Sequence, residues 1–369
     1  MEPEKEIAMT PRPPGGQQLA SDNYSGICPE ALEYIHKVNV GHEPAYGEDA
    51  WTREACDLFR DLFEAECEVF FVFNGTAGNS LSMASLCRSY HSMICHRVAH
   101  VETDECGAPE FFSHGAKLLM AEGVGGKLTP EGVEQIVTKR SDIHYPRPRV
   151  VTVTQATEVG TVYTQAELRA LHETVQKHSL KFQMDGARFA NALIHLEVKP
   201  RELTVDAGVD VLCLGGSKNG LGIGEAVIFF DLEAAEEFAY RCKQAGQLAA
   251  KMRFIAAQWL GALKNGAWYC HARNANECAS LLERNLREIP ELKVLYPSEA
   301  NSVFVRMPEP VIAALRAKGW IFYTFIATGG VRLMCSWDTT PETIQAFTED
   351  VKTALRESGG EVAETPKVK

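Results

Sequence analysis

The sequence predicts an α/β protein, a mostly parallel β-sheet covered by helices on both faces and followed by a smaller α+β C-terminal domain. Three observations carry this prediction. From residue 67 onward, short Val/Ile/Phe runs alternate with segments of helical period; helix-start signals fall between the runs; and after about residue 290 the pattern shortens into a few strands with two helices.

In chain order, the expected strands are "EVFFVF" at 68, "MICH" at 93, "KLLM" at 117, "RVVTVT" at 149, "LKFQM" at 180, "VDVLCL" at 209 and "AVIFF" at 226. Helical segments read between them are "AGNSLSMASLCRSY" at 77, "TPEGVEQIVTKR" at 129 and "TQAELRALHETVQKH" at 164. Thr129 before Pro130 is an N-cap signal, and Thr164 with Glu167 fits a capping box. A long helical stretch follows from about 232 to 289, bent or broken around Gly261 and Gly266. Beyond it, "KVLYP", "SVFVRM" and "GVRLMCS" read as strands, with helices near 309–318 and 341–356. The expected organisation is a loose N-terminus (1–18), a large domain (19–265), a small α+β domain (266–357) and a loose tail (358–369).

Composition narrows the function. The chain carries 37 basic against 49 acidic residues, a net charge of −12, with no basic stripe, so neither nucleic acid nor an anionic membrane is expected as a partner. A small-molecule substrate fits better. Eleven cysteines without a CxxC pair read as reduced thiols of a cytoplasmic protein, and no apolar run is long enough to span a bilayer. The sequons at Asn23 and Asn74 follow no apolar signal segment and are treated as chance.

In an open α/β sheet, ligands sit outside the carboxyl ends of the strands, and polar features fall at such ends here. Asn74-Gly75-Thr76-Ala77-Gly78-Asn79 opens a helix whose backbone N–H groups suit a phosphate. Asp185 and Arg188 follow "LKFQM", and Lys218 follows "VDVLCL", boxed in by glycines. The 33 residues between Asp185 and Lys218 are about one βαβ unit, consistent with neighbouring strands. The glycines around Lys218 lack P-loop spacing, and "GLGIGEA" precedes a strand rather than a helix, so neither nucleotide motif is supported. An acid, a buried lysine and an anion site at neighbouring strand ends together suggest pyridoxal 5'-phosphate. The lysine would bind the aldehyde as a Schiff base, the acid would keep the pyridine nitrogen protonated, and the helix end would hold the phosphate.

The segments "SDNYSGICPEAL" at 21, "YGEDAWT" at 46, "FNGTAGN" at 73, "AHVETDECGAPEFF" at 99, "TQATEVGTVYT" at 154, "MDGARFANA" at 184, "GGSKNG" at 215 and "GVRLMCSWDTT" at 330 resemble the low-specificity threonine aldolases and their phenylserine aldolase relatives, fold-type I pyridoxal-phosphate enzymes. The resemblance runs in order from about 20 to 356. It implies Lys218 as the covalent anchor and Asp185 as the partner of the pyridinium. Gly75, Thr76 and Ala77 would lie at the phosphate, His100 would stack on the ring, and Arg188, Arg332 and Ser21 would take the substrate carboxylate. Tyr46 would lie near the site, that of a neighbouring subunit included, with Thr157 beside the substrate. Where some relatives place a histidine, this chain has Thr157 and Glu158, leaving His100, a water it holds, or Glu158 as candidates for the base acting on the hydroxyl. No metal is expected, because "HRVAH" at 96–100 lacks the glutamate of HExxH.

The implied activity is retro-aldol cleavage of threonine, allo-threonine and related β-hydroxy-α-amino acids to glycine and an aldehyde by a homodimer or homotetramer. "AYGEDAW" and "KMRFIAAQW" are interface candidates, the second equally well a core helix, with Lys251 or Arg253 reaching a neighbour's phosphate. The alternatives are a β-eliminating lyase, a transaminase, a hydroxymethyltransferase, or a cofactor-binding scaffold without turnover.

Overall fold

The computed structural model describes residues 17–325 and 330–358; of the N-terminus expected to be loose, residues 1–16 lie outside that range, as do 359–369 of the tail. Seven strands form the main sheet: β1 (Glu68–Val72), β2 (His91–His96), β3 (Lys117–Ala121), β4 (Arg147–Thr154), β5 (Lys181–Gly186), β6 (Val211–Leu214) and β7 (Glu225–Phe229). Their order across the sheet is β1-β7-β6-β5-β4-β2-β3. β3, β2, β4, β5 and β6 pair in parallel, while β7 runs antiparallel to β6 and β1. These are the seven apolar runs of the sequence. β2, β6 and β7 are buried at every position, as strands covered on both faces must be.

Helix starts follow the side-chain chemistry. Thr164 Oγ1 accepts the Glu167 N–H at 3.2 Å while Glu167 Oε2 accepts the Thr164 N–H at 2.7 Å, so two N–H groups that the helix Gln165–Lys177 leaves over are satisfied reciprocally. Thr129 caps Pro130–Val137 one way only, its Oγ1 accepting the Gly132 N–H at 3.1 Å.

The expected long helical stretch is four helices: Leu232–Ala235, Phe238–Gln244, Arg253–Lys264 and Ala267–Arg287. Gly266 breaks it, at φ +66°, a conformation glycine adopts without Cβ cost. Gly261 does not. It sits inside Arg253–Lys264, where a Cβ would lie 2.2 Å from the Glu30 carbonyl oxygen, so its smallness serves close helix packing. "KMRFIAAQW" is the core helix of the two readings: Ile255, Ala256, Ala257 and Trp259 are buried in the largest apolar cluster.

A second sheet, antiparallel, orders β10 (Tyr323–Phe325), β11 (Gly330–Met334), β9 (Ser302–Arg306) and β8 (Lys293–Val294), with helices Glu309–Ala317 and Pro341–Glu357 packed on it. Its apolar cluster includes Leu19, and the N-terminal segment is tied there by Leu19 N–H to Ile321 O and Met334 N–H to Leu19 O, each 2.8 Å. That anchorage carries Ser21 and Asp22 to the edge of the large sheet. All eleven cysteines are free thiols. Among the described residues, no helix is long and apolar enough to cross a membrane.

Candidate active site

Because β1 and the parallel strands end on the same side and β7 begins there, one edge of the sheet collects the residues that follow β1, β2, β4, β5 and β6. At this edge Asn23, Asn74, Gly75, Thr76, His100, Asp185, Lys218 and Glu225 line a cavity of about 210 Å³. Asp185 sits on β5 opposite Cys213 of β6, so the strand ends carrying the acid and the lysine are neighbours.

The lysine turn is built by exclusion. A Cβ on Gly215 would lie 2.4 Å from Ala187 O, and one on Gly216 would lie 2.6 Å from the buried indole of Trp259, so the two residues that follow β6 fit only without side chains. Asn219 Nδ2 donates to Trp268 O at 2.8 Å, and the Gly216 N–H donates to Glu225 Oε2. These bonds fix the turn Ser217–Asn219. Burial, and then the Arg188 charge, lower the Lys218 pKa.

Asp185 is held from two sides: Asn79 Nδ2 donates to its Oδ2, and the Ala187 N–H to its Oδ1, both at 2.9 Å. Asn79 Nδ2 also reaches Glu105 Oε1 at 2.9 Å, and Gln183 Nε2 donates to Asn79 Oδ1 at 3.1 Å. Glu105 Oε1 meets His100 Nδ1 at 2.8 Å, and that bond, opposed by burial, raises the imidazole pKa. Burial in turn raises the Glu105 carboxyl. The His100 backbone N–H donates to Glu158 Oε1 at 2.7 Å, and Thr154 Oγ1 donates to the same oxygen at 2.9 Å. Burial, with the Asp185 charge adding to it, pushes the Glu158 carboxyl up to about 7.

A second cluster adjoins the cavity. Arg188 forks onto Asp22, Nε to Oδ2 at 2.7 Å and Nη2 to Oδ1 at 3.0 Å, and Asn301 Nδ2 adds a bond to Oδ2 at 3.1 Å. Burial alone would raise the Asp22 carboxyl, but the Arg188 fork outweighs it and holds the group below its ordinary range. Arg332 Nη2 donates to Ala20 O at 3.3 Å, with its guanidinium over the Tyr323 ring, and the Arg188 charge acts on it. Ser21, buried, accepts the Asn23 N–H at 3.2 Å and so shapes the turn that presents Asp22.

Of the residues expected at the site, Gly75, Thr76, His100, Asp185 and Lys218 share the cavity, while Ser21, Arg188 and Arg332 form the adjoining corner. Ala77 lies one step inside the helix, its N–H donating to Asn74 Oδ1 at 2.9 Å, which leaves the Gly75 and Thr76 amides at the helix mouth. Thr157 is buried in its loop, bonded to Thr161 Oγ1 at 2.8 Å and Gly125 O at 3.2 Å, and does not line the cavity. Tyr46 is exposed, with Lys243 Nζ 4.5 Å above its ring, and does not line the cavity either. Asn79, Glu105, Asp22 and Glu225 were missed, although the first three fall within the segments that carry the resemblance.

The residues present fit pyridoxal phosphate: an amine whose pKa is lowered, a carboxylate fixed on neighbouring strands, an imidazole, and free-ended amides of a twelve-residue helix.

Comparison with known proteins agrees with this geometry. The model of the beta-eliminating lyase family matches residues 18–310. The low specificity L-threonine aldolase of a Pseudomonas species is 59% identical over 339 residues, covering 92% of this chain and 98% of that protein. The protein of the same name from Pseudomonas aeruginosa is 58% identical over the same share. Among solved structures, the threonine aldolase of Leishmania major superposes with a TM-score of 0.87 at 26% identity, over 92% of this chain and 99% of that one. With the fold, the lysine turn and the matched length in agreement, the chain belongs to the beta-eliminating lyase family, among its low-specificity L-threonine aldolases.

Proposed function

We propose that this chain is a pyridoxal-phosphate-dependent lyase that cleaves L-threonine, L-allo-threonine and related β-hydroxy-α-amino acids between Cα and Cβ, giving glycine and an aldehyde. The observation that carries the reading is the convergence of Lys218, Asp185 and His100 on one cavity beside the paired arginines. When bound, the cofactor accepts the electron pair that the Cα–Cβ bond releases.

The chain's own residues supply the rest. Lys218 would anchor the cofactor through Nζ, and its lowered pKa favours the neutral amine that such a bond needs. Asp185, unable to turn away from Asn79 and Ala187, would keep the cofactor's ring nitrogen protonated. The Gly75 and Thr76 amides would hold the phosphate. Arg332, with Arg188 behind it on Asp22, would orient the substrate carboxylate, and two-point holding fixes which bond at Cα is aligned to break. His100 Nδ1 is taken by Glu105, so Nε2 is the atom that accepts the β-hydroxyl proton, and Glu105 supports the imidazolium that forms.

The active form is a homo-oligomer working in the cytoplasm. Tyr46, Phe73 and Ile223 are exposed by 48, 55 and 39%, and Phe73 directly precedes the phosphate turn, so an apolar rim borders the cavity where a second copy would cover it. The free thiols support a reducing compartment. The test is aldehyde release from threonine, allo-threonine and phenylserine by wild type and Lys218→Ala. Turnover of at least one substrate by wild type and none by the variant is expected; no aldehyde from any substrate refutes the reading.

A further inference from the structure

We propose that the opposite, amino-terminal end of the large sheet carries a second binding site, for a compact polyanion bearing phosphoryl or clustered carboxylate groups. A cavity of about 480 Å³ opens there, between the beginnings of β2, β4 and β5, the end of the helix Gly75–Leu86 and the turn after β7. Lys181 opens β5 and Asp185 stands one residue before its end, so the four-residue step from one to the other puts the two cavities roughly 13 Å apart along one strand.

Arg88, Arg147 and Arg149 converge on this cavity. Among the described residues, none of the three guanidiniums is bridged to a carboxylate; Arg149 Nη1 donates to the Ser179 carbonyl at 3.0 Å. The acid on the wall is already neutralised, since Asp231 Oδ2 takes Lys181 Nζ at 2.6 Å and its Oδ1 accepts the Ala234 N–H at 3.4 Å. Glu233 stands exposed at the rim. Lys181 is shared between Asp231 and Asp210, the latter at 3.3 Å, so three guanidiniums without an ion pair among the described residues face the Glu233 carboxylate, in a chain whose net charge is −12. Unpaired like charges repel, and a concentration of them in a concave site raises the local density of anions.

His91 adds a directed donor. Its Nδ1 accepts the Arg88 N–H at 3.0 Å, so the neutral ring carries its proton on Nε2. Burial, reinforced by the charges of Arg149, Arg147 and Arg88, lowers its pKa and keeps the ring neutral at neutral pH. Guanidinium forks and an imidazole N–H match the several acceptor oxygens of a phosphoryl group or of paired carboxylates. The Pro-rich start of β4, "HYPRPRV", has its register against β2 shifted at Arg149, and both Arg147 and Arg149 line the cavity.

The experiment is isothermal titration of the cofactor-loaded enzyme, its phosphate site thereby filled and its substrate-carboxylate site occupied by saturating glycine, with pyrophosphate and separately with citrate at constant ionic strength. Saturable binding of one probe per chain is expected. A response to pyrophosphate alone assigns a phosphoryl ligand; a response to citrate alone assigns a carboxylate ligand. Arg88 and Arg147 are both exposed, so Arg88→Gln with Arg147→Gln leaves the core intact and should weaken binding more than tenfold. Glu233→Gln, removing a rim charge of opposing sign, should tighten it. Threonine cleavage without added anion should be unchanged in all variants. No saturable binding of either probe, or equal binding by wild type and the double variant, would overturn the proposal.

Discussion

The two ends of one sheet handle charge in opposite ways. At the carboxyl ends the arginine, the imidazole and the aspartate of the site are each held by a fixed partner: Arg188 by Asp22, His100 by Glu105, Asp185 by Asn79. At the amino ends Arg88, Arg147 and Arg149 face open volume, and only Lys181 is paired with acids. The first arrangement fixes protonation states and orientations in advance, as a reacting centre needs, because groups that do not reorganise stabilise a developing charge most. The second keeps its electrostatic attraction available to a partner, as reversible binding needs.

The largest expected break in this contrast is Lys218→Ala. Threonine cleavage should fall on the order of 10³-fold or more, with loss of the visible absorbance of the bound cofactor, since no other group at the cavity can replace the amine. Asp185→Asn is next. The amide keeps the shape but not the charge, so kcat should fall about 10²-fold or more while the cofactor is still retained; turnover close to wild type would remove Asp185 from its role.

Glu105→Gln sharpens the comparison by leaving all cavity atoms in place. Glu105 raises the His100 pKa, and a base acts in its deprotonated form, so wild-type activity should rise as pH passes upward through that pKa. Removing the carboxylate lowers the pKa and moves this acid limb to lower pH, with kcat reduced roughly tenfold because the imidazolium loses its support. An unmoved limb in the kcat/KM profile would show that His100 is not the base.

These predictions separate what the sequence makes visible from what it hides. Seven strands are legible because each is a short, mostly apolar run, and Lys218 and Asp185 because each lies at or just past the end of such a run. Gly261 is misread as a break because sequence does not distinguish a glycine used for φ > 0 from one used for close approach; the Glu30 backbone that decides it lies more than 200 residues away. β10 is three residues long, and the break at 245–252 carries too few turn signals to interrupt a helical period. At the site, Glu105 and Asp22 read as ordinary solvated acids of polar turns. Their roles come from partners 5 and 166 residues distant, His100 and Arg188, and the second separation is set by the tertiary fold alone. Arg88 and Arg147 are likewise invisible as a pair, because composition shows only a net acidic chain.

The smallest expected effect concerns stability. Burial lifts the folded-state pKa of Glu158 to about 7, above its unfolded value, so folding takes up protons between the two. The contribution is fully present below about pH 4.5 and is lost as pH rises through about 7. Glu158→Gln should flatten the fall of stability between these limits, by up to about 3 kcal/mol at the upper end. Denaturant midpoints for wild type and variant at pH 5 and pH 8 check this, and parallel changes in the two proteins would contradict it.

The central claim, that the paired charges at the carboxyl ends direct cleavage to the Cα–Cβ bond, is tested most directly by product balance. Wild-type enzyme with its cofactor is given L-threonine, and glycine, acetaldehyde, ammonia and 2-oxobutanoate are measured together. Glycine and acetaldehyde in equal amounts, accounting for the threonine consumed, is the predicted result; ammonia and 2-oxobutanoate in their place would mean that the β-hydroxyl leaves instead, and that the site directs elimination.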